Sequence, residues 1–424
     1  MSFELTVLPL EDCLDALIDY RGKTPVKTDS GIPLITAKII KGGRIETPTE
    51  FIAIDNYDAW MRRGMPAAGD VVLTVEAPLG EVAQLGLEKI ALAQRVVTLR
   101  GKAGLLDSTY LLYLLQTEEM QSQLKSRATG TTVLGIKQSE LRKVTLSLPP
   151  FDLQLSAAAT LKALDDRISL LRETNTTLEA IAQALFKSWF VDFDPVRAKQ
   201  QGTDPQGMDA AAAALFPDSF EESELGLVPK GWRNLPFTDT VKVIGGGTPK
   251  TSIPEYWDGE IPWFSVVDAP TITDVFVIDT AKHISAEGLN KSSTKLLAEG
   301  TTIISARGTV GRLALVGREM AMNQSCYGLR GKADDAYFTY FSTYRLVESL
   351  KQRSHGSVFD TITTETMKGV FVIYPDADVI QAFEMTLNPV MNRIKTNLEQ
   401  AQTLATLRDT LLPRLISGQL RLPA

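Results

Sequence analysis

Cysteine and histidine are scarce in this chain of 424 residues, which contains two of each. Cys13 and Cys326 form neither a disulfide framework nor a pair at metal-ligand spacing, and two histidines exclude a histidine-rich zinc or iron site. No apolar run reaches the roughly 18 residues that a membrane-spanning helix needs. The first residues, MSFELTVLPLEDCLD, lack the apolar centre of a signal peptide, so the sequence predicts a cytoplasmic protein with no membrane partner.

Recognisable catalytic motifs are missing as well. GGGTPK at 245–250 has glycines but not the spacing of a phosphate-binding loop, and no GxGxxG fingerprint follows a predicted strand. LPPF at 148–151 approaches the catalytic loop of adenine methyltransferases, but Leu148 stands where a polar residue would bind the target amino group. Neither histidine is accompanied by a nucleophile elbow. The sequence therefore predicts a protein that binds and positions without catalysing.

The net charge of −7 is concentrated in the middle of the chain. Residues 151–231 contain 13 acidic and 7 basic residues, whereas 1–150 and 232–376 each have a net charge of −1. An evenly acidic protein would be a poor nucleic-acid binder, because phosphate neutralisation by lysine and arginine dominates that affinity. Each near-neutral block also contains one basic stretch, over 120–143 and 300–333. The charge therefore argues against nucleic acid only at the middle segment.

The chain contains an internal repeat, with matching segments about 224 to 231 residues apart in constant order. The matches include GKTP (22–25) with GGTP (246–249), LAQRVVTLRGKA (92–103) with MNQSCYGLRGKA (322–333), and LSLPP (146–150) with FVIYP (371–375). Each copy begins with short β-branched runs separated by turn residues, and also contains an amphipathic helical pattern, over 105–125 and 336–352. The repeat therefore predicts two similar α+β domains of roughly 150 residues.

Each copy ends in a long helical pattern with apolar residues at alternating steps of three and four, which is the heptad of a coiled coil. Asn175 and Asn397 lie in these seams, where a polar residue fixes the register. We expect the two helices to pair antiparallel, the alternative being that each packs only on its own domain. Pro389 is expected to kink or delay the second helix, and Pro413 to end it.

These patterns predict an α+β protein in which two similar globular domains are separated by a pair of long antiparallel coiled-coil helices. The predicted segments are a first domain at 1–150, a first helix at 151–191, an acidic surface connection at 192–231, a second domain at 232–376 and a second helix at 377–418.

Several segments together resemble the specificity subunit of type I restriction-modification enzymes over essentially the whole chain. They are GGTP (246–249), YWDGEIPW (256–263), SARGTVG (305–311), LFKSWFVDFDPVR (185–197), FPDSF (216–220) and LPRLISG (412–418). The first copy departs from this pattern, with EAPLG at 76–80 where the second has RGTVG at 307–311.

The resemblance implies a non-catalytic DNA-binding subunit of a restriction system that acts in phage defence. Each domain would be a target-recognition domain reading one half of a split, asymmetric DNA sequence. The helices would set the spacing and dock two methyltransferase subunits, with a motor-nuclease subunit joining for cleavage. S-adenosylmethionine, Mg²⁺ and ATP would belong to these partners. A self-contained DNA-modifying enzyme and a coiled-coil scaffold without a nucleic-acid role remain open alternatives.

The candidate functional residues form two groups. Glutamines can pair with adenine edges and basic residues with phosphates, so the DNA-binding candidates are Lys125, Arg127, Lys137, Gln94, Thr248, Lys250, Arg307, Arg312, Gln324 and Arg353. For both glutamines the alternative is a structural hydrogen bond beside a strand. Aromatic residues near the end of the first helix are interpreted as packing or partner-docking residues rather than base stackers; they are Phe186, Trp189, Phe190 and Phe193.

Overall fold

The computed structural model describes residues 5–22, 24–224, 226–270, 274–353 and 361–420. The chain divides into unit 1, comprising Met1–Ile168 and Thr403–Ala424, and unit 2, comprising Ser169–Gln402. Two helices of 40 residues, Phe151–Phe190 and Ala377–Ile416, each contribute one end to unit 1 and the other end to unit 2. Each unit therefore combines one half of the repeat with parts of both long helices.

Unit 1 is built from short strands and short helices before its long helix begins. In the described residues the strands are Thr6–Pro9 (β1), Leu14–Asp19 (β2), Ile32–Ile35 (β3), Ile40–Lys41 (β4), Arg44–Ile45 (β5), Phe51–Ile52 (β6), Val71–Val75 (β7), Leu79–Gln84 (β8), Ala91–Leu92 (β9), Val96–Gly101 (β10) and Thr145–Leu148 (β11). The helices are Tyr57–Trp60 (α1), Ser108–Leu114 (α2), Glu118–Ser126 (α3), Gln138–Leu141 (α4) and the first part of Phe151–Phe190 (α5).

The main sheet of unit 1 has the antiparallel strand order β2-β10-β7-β8. Strand β7, VVLTV, is buried at every position because both faces of the sheet are covered. Its side chains alternate: Val71 and Leu73 join the core that contains α2 and α3, and Val72 joins the core beside the sheet β6-β3-β9. Strand β1 pairs with β11 and brings the first and last strands of the domain together.

Unit 2 contains the second set of strands and helices. In the described residues the strands are Phe220–Ser223 (β12), Gly226–Pro229 (β13), Arg233–Pro236 (β14), Val241–Gly245 (β15), Trp257–Phe264 (β16), Phe276–Val277 (β17), His283–Ile284 (β18), Thr302–Ser305 (β19), Leu313–Val316 (β20), Ala321–Met322 (β21), Cys326–Gly331 (β22) and Phe371–Tyr374 (β23). The helices are the last part of α5, Asp194–Gln200 (α6), Ala210–Ala214 (α7), Phe237–Thr240 (α8), Ala286–Asn290 (α9), Tyr337–Arg353 (α10), Thr364–Lys368 (α11) and the first part of Ala377–Ile416 (α12).

Strand pairing in unit 2 follows that of unit 1 in chain order. The order β15-β22-β19-β20 corresponds to β2-β10-β7-β8, with β17 added beside β20. The sheet β18-β16-β21 corresponds to β6-β3-β9, and in each sheet the last two strands are parallel. The pair β14–β23 corresponds to β1–β11. The predicted α+β class and internal repeat are therefore confirmed.

The long helices pack against each other within the units, as the heptad spacing predicts. In unit 2 the ring of Phe186 lies 5.8 Å from that of Phe383, and Asn175 Nδ2 donates to the Ile394 carbonyl at 3.1 Å. Asn397 Nδ2 donates to Asn175 Oδ1 at 2.9 Å, and both asparagines are almost completely buried. Contacts that advance along α5 retreat along α12, so the pairing is antiparallel.

The expected delay of α12 at Pro389 and its expected end at Pro413 are wrong. The helix continues through Pro389 and Pro413 to Ile416. Pro389 is exposed, and its neighbours Leu387 and Met391 are fully buried, so packing on α5 holds the helix across the lost hydrogen bond. Beyond Pro413, the side chains of Leu415 and Ile416 enter the core of unit 1 and continue the helical turn.

The acidic connection is more than a surface loop. It contains α6, α7 and the β12–β13 hairpin, and it places Val196 and Phe216 in the core of unit 2. The sequence predicted a surface connection because most of its residues are polar and only a few side chains are buried. The predicted helix at 105–125 is likewise divided into α2 and α3, because the Thr117 hydroxyl bonds the Leu114 carbonyl and accepts from the Met120 amide at the start of α3.

Candidate nucleic-acid interface

In unit 1, three chain segments meet at the tip of the β7–β8 hairpin. The turn that contains Gln94 contributes the Arg95 carbonyl, which accepts from the Val75 amide at 3.0 Å. The segment before α4 contributes the Ile136 amide, which donates to the Val75 carbonyl at 3.0 Å. Glu76 at the tip forms a β-bridge with Gly135. The hairpin tip is therefore held by backbone bonds from both sides.

The same three segments meet in unit 2. The Ala306 amide donates to the Ser325 carbonyl at 2.8 Å, and the Ile362 amide donates to the Ala306 carbonyl at 2.9 Å. Arg307 forms a β-bridge with Thr361. Because these backbone bonds match those of unit 1, Arg307 occupies in the β19–β20 hairpin the position that Glu76 occupies in the β7–β8 hairpin.

A cleft of about 270 Å³ opens beside the hairpin tip of unit 1. Ala77 of the tip and Gln94 of the turn line it, opposite the loop that contains Thr24 and Pro25. Its other lining residues include three basic side chains and one acid: Lys27, Lys38, Arg95 and Glu50. Lys27 pairs with Glu50 at 2.7 Å, and Arg95 is exposed. The cleft therefore offers an amide among positive charges, a combination that suits a nucleic-acid strand.

In unit 2, glycines allow the matching loop to approach the glutamine turn. A Cβ atom on Gly246 would lie 1.9 Å from the Asn323 carbonyl oxygen, so only glycine fits. The Gly247 amide donates to the Met322 carbonyl at 3.0 Å, and its carbonyl accepts from Trp263 Nε1 at 3.0 Å. Thr248 follows, and its hydroxyl donates to Gln324 Oε1. This bond orients the Gln324 amide and leaves its NH₂ group as the donor toward a ligand.

The predicted basic residues of unit 1 do not line the cleft beside the β7–β8 hairpin tip. Lys137 is exposed and follows Ile136, whose amide holds the hairpin tip. Lys125 is exposed on α3. Arg127 ends the same helix and lies 3.6 Å from Glu140, so part of its charge is already matched.

The predicted residues of unit 2 separate into two groups. Arg307 and Lys250 are exposed, and both lie in segments that meet the Gln324 turn. Arg312 does not fit the predicted anchor role, because its Nη2 donates to the carbonyls of Ala269 and Pro270 at 3.3 and 2.6 Å and so fastens a loop. Arg353 is the last residue of α10, and its side chain lies outside the described part of the chain.

Sequence reasoning missed the basic residues that line the unit 1 cleft, Lys27, Lys38 and Arg95. They are scattered through loops rather than clustered along the chain. Two signals were present, since Lys27 closely follows the repeated TP motif and Arg95 directly follows Gln94.

The aromatic residues predicted as packing or partner-docking are packing residues. Phe186, Trp189, Phe190 and Phe193 are between 5 and 9% exposed and belong to the core of unit 2. Phe190 alone lies 4.9 Å, between ring centroids, from both Phe338 and Phe383. Phe186, Phe190 and Phe193 also line a cavity of about 360 Å³. The docking interpretation of these residues stays a prediction.

An ionisable group, Cys326, lies beside the glutamine turn of unit 2. Burial raises the pKa of the Cys326 thiol to about 12, so this residue stays protonated beside the glutamine turn. Within the described ranges, no group of three His, Cys, Asp or Glu side chains is placed to hold a metal ion. No helix in these ranges has the length and apolarity to cross a membrane. The arrangement thus suits hydrogen bonding and charge pairing with a ligand.

The sequence is similar to a known protein family and to several of its members. The family model described as "Type I restriction modification DNA specificity domain" matches residues 21–180 and 229–402, one match in each half of the repeat. The type I restriction enzyme HindI specificity subunit of Haemophilus influenzae is 26% identical over 378 residues, covering 79% of this chain and 82% of that protein. The MjaIX specificity subunit of Methanocaldococcus jannaschii is 26% identical over 358 residues, covering 83% and 78%.

The fold is similar to that of a solved structure. The crystal structure of the type I restriction-modification system S subunit from M. genitalium has a TM-score of 0.59 and 15% identity, and the match covers 98% of this chain and 96% of that one. The two family matches together include most of the sequence, and both contain a hairpin tip, a glutamine turn and the first part of a long helix. The chain therefore belongs to the type I restriction-modification DNA specificity family.

Proposed function

We propose that the chain is the DNA-recognition subunit of a type I restriction-modification complex. Each unit binds one half of a split, asymmetric duplex target through its hairpin tip, its glutamine turn and the neighbouring loop. Methyltransferase subunits methylate adenine at N6, and a motor-nuclease subunit cleaves unmodified DNA. S-adenosylmethionine, Mg²⁺ and ATP bind to these partners, and the complex acts in the cytoplasm.

The observation that carries this proposal is the duplicated interface. Both units hold a charged hairpin tip and a glutamine turn with equivalent backbone bonds, and the family model matches both halves. Two similar binding surfaces in one chain fit a target with two half-sites. Gln94 and Gln324 present amide groups that can bond an adenine edge, and the surrounding lysines and arginines can anchor phosphates.

The long helices support a spacing role. Each has 40 residues and is therefore about 60 Å long, compared with about 34 Å for one turn of DNA. Their exposed faces carry the side chains left over from pairing, including Leu170 on α5 and Leu407 on α12. We assign the docking of methyltransferase subunits to these helix faces, since the aromatic cluster at the end of α5 is buried.

The test is to purify the chain with the methyltransferase subunit of the same host and measure binding to duplex DNA, then to map methylated adenines in the genome with and without the gene. Sequence-selective binding and loss of one bipartite methylation motif are expected. The chain alone is incubated with DNA and radiolabelled S-adenosylmethionine. Methyl transfer by the chain alone would identify a self-contained enzyme, and a complex that retards no duplex would identify a scaffold without a nucleic-acid role.

A further inference from the structure

We propose that Glu76 and Arg307 are matched base-reading residues of opposite chemistry. Arg307 recognises a guanine in the half-site of unit 2, and Glu76 recognises the amino group of a cytosine in the half-site of unit 1. This inference rests on the proposed DNA-recognition function and names the specificity-determining residue in each unit.

The first step is the equivalence of the two positions. Each residue follows the last residue of a hairpin strand or its immediate extension, and each is fixed by a β-bridge, to Gly135 for Glu76 and to Thr361 for Arg307. The backbone just before each residue is bonded on both its amide and its carbonyl by matching segments. A side chain on so constrained a backbone is presented in a defined direction, as base reading requires.

The second step is the availability of both side chains. Arg307 is exposed, and Glu76 is half-buried and precedes Ala77, which lines the cleft. In the described part of the chain neither side chain forms an ion pair. Tight turns follow both residues, with a left-handed φ of 49° at Ala77 and 78° at Gly308, so the chain turns away immediately after the charged group.

The third step excludes a shared role as phosphate anchors. The two residues have opposite charge at one structural position, and a carboxylate is repelled by phosphates. A base edge can pair with a side chain of either charge, because base edges present both donors and acceptors. A base edge as partner therefore explains why this position holds an acid in one unit and a base in the other. In unit 1 the positive charges that can bind phosphates come from other residues, Lys27, Lys38 and Arg95, which line the cleft beside the hairpin tip.

The chemistry of the base edges then assigns the partners. In the major groove a guanidinium donates two hydrogen bonds to guanine O6 and N7, and a carboxylate accepts from cytosine N4. Gln94 and Gln324 stand in the adjacent turns, so each unit presents an amide beside a charge. Each unit therefore reads a short sequence with two side chains. The glutamine is common to both units, and the charged residue differs between them.

The experiment uses the complex of the chain with its methyltransferase subunit and a duplex library with randomised positions, sequenced after selection for binding. In Arg307→Ala we expect a guanine preference to fall about 10-fold to 100-fold at one position of one half-site, with the other half-site unchanged. In Glu76→Ala we expect the same loss for a cytosine in the opposite half-site. Glu88→Ala and Arg318→Ala are matched controls, because both residues are exposed and lie outside the hairpin tips and the long helices.

The outcomes separate the two proposals. A wild-type complex without sequence preference overturns the proposed function itself. A selective wild-type complex whose Arg307→Ala variant loses affinity for all sequences equally overturns the inference, because that is the behaviour of a phosphate contact. Unchanged preference in both variants, or changes in both half-sites from one substitution, also overturn it. Melting temperatures equal to that of the wild type show that each variant is folded.

Discussion

The two units share a strand order but use different chemistry to attach a domain helix, α2 in unit 1 and α10 in unit 2, to a long helix. In unit 1, Gln154 of α5 accepts from the Asp107 amide at 3.1 Å just before α2, and its NH₂ group donates to the Leu105 and Pro149 carbonyls. In unit 2, Glu384 of α12 accepts from the Ala336 and Phe338 amides at 3.2 and 2.8 Å at the start of α10.

The two cores differ in the same sense. Unit 1 is closed by aliphatic residues at the end of α12, including Leu415 and Ile416, and the Tyr110 hydroxyl donates to the Ile416 carbonyl at 2.9 Å. Unit 2 is closed by an aromatic cluster at the end of α5. One topology is thus stabilised by two unrelated sets of contacts, so each unit should respond to different substitutions and to different conditions.

The largest effect is expected from the aromatic cluster. Phe190→Ala removes a buried ring that contacts Phe338 and Phe383, and such a truncation destabilises a core by about 3–5 kcal/mol. Denaturant unfolding gives the free energy, and hydrogen exchange shows whether the loss is confined to unit 2. Phe371→Ala is the control, because that ring is 47% exposed. If the two substitutions lowered the free energy of unfolding equally, the aromatic cluster would stabilise unit 2 no more than an exposed ring does.

A pH effect distinguishes the units next. Burial, with a smaller contribution from nearby Asp335, raises the pKa of Glu384 from 4.5 to about 7 against the opposing effect of the backbone amides of Ala336, Tyr337 and Phe338. Between pH 4.5 and 7 the unfolded chain loses this proton and the folded chain keeps it, so unit 2 loses stability as pH rises through this window. The loss is on the order of 3 kcal/mol and constant above pH 7.

Hydrogen exchange of α10 and α2 as a function of pH measures this contrast. In Glu384→Gln the amide group does not titrate, so the pH dependence of α10 protection should shrink to what Glu179 and Asp335 contribute. Burial raises the pKa of Glu179 to about 7 and also raises the pKa of Asp335. The reciprocal variant Gln154→Glu should introduce such a dependence at α2, where the native amide gives none. Identical pH profiles for wild type and Glu384→Gln would remove Glu384 as the cause.

The asparagine pair is expected to have a smaller effect on stability and a larger one on register. Asn397→Ala leaves the buried Asn175 amide oxygen without its donor, which destabilises the helix pair by about 1–3 kcal/mol. Replacing both asparagines by leucine should restore stability while weakening the fixed register. Denaturant unfolding measures the first effect, and disulfide trapping between engineered cysteines in shifted registers measures the second. A double variant less stable than Asn397→Ala would contradict this account.

The sequence revealed features that repeat, and it missed those that depend on a few buried contacts. The matched segments and the heptad seams predicted two α+β domains and antiparallel helices, because periodic burial leaves a regular pattern. Pro413 was misread, since only the tertiary packing of Leu415 and Ile416 continues α12 beyond it. The cleft residues Lys27 and Lys38 were missed because loops from distant parts of the sequence bring them together. Phe190 was predicted either to pack or to dock a partner, because docking and core aromatics share one composition, and its ring contacts with Phe338 and Phe383 depend on the fold.

The smallest effect should come from a single phosphate anchor, and it shows whether the interface of unit 2 depends on charge as the cleft of unit 1 does. Lys250 is exposed beside Thr248, whereas the positive charges of unit 1 line a cleft. In the complex, Lys250→Ala should weaken binding to all sequences about equally and reduce the slope of affinity against salt by about 1. Lys230→Ala is the control, because that exposed lysine follows β13 in the acidic connection and belongs neither to the interface segments nor to a long helix. A change in base preference would instead make Lys250 a base-reading residue. Unit 2 would then read bases with Lys250 in addition to Gln324 and Arg307.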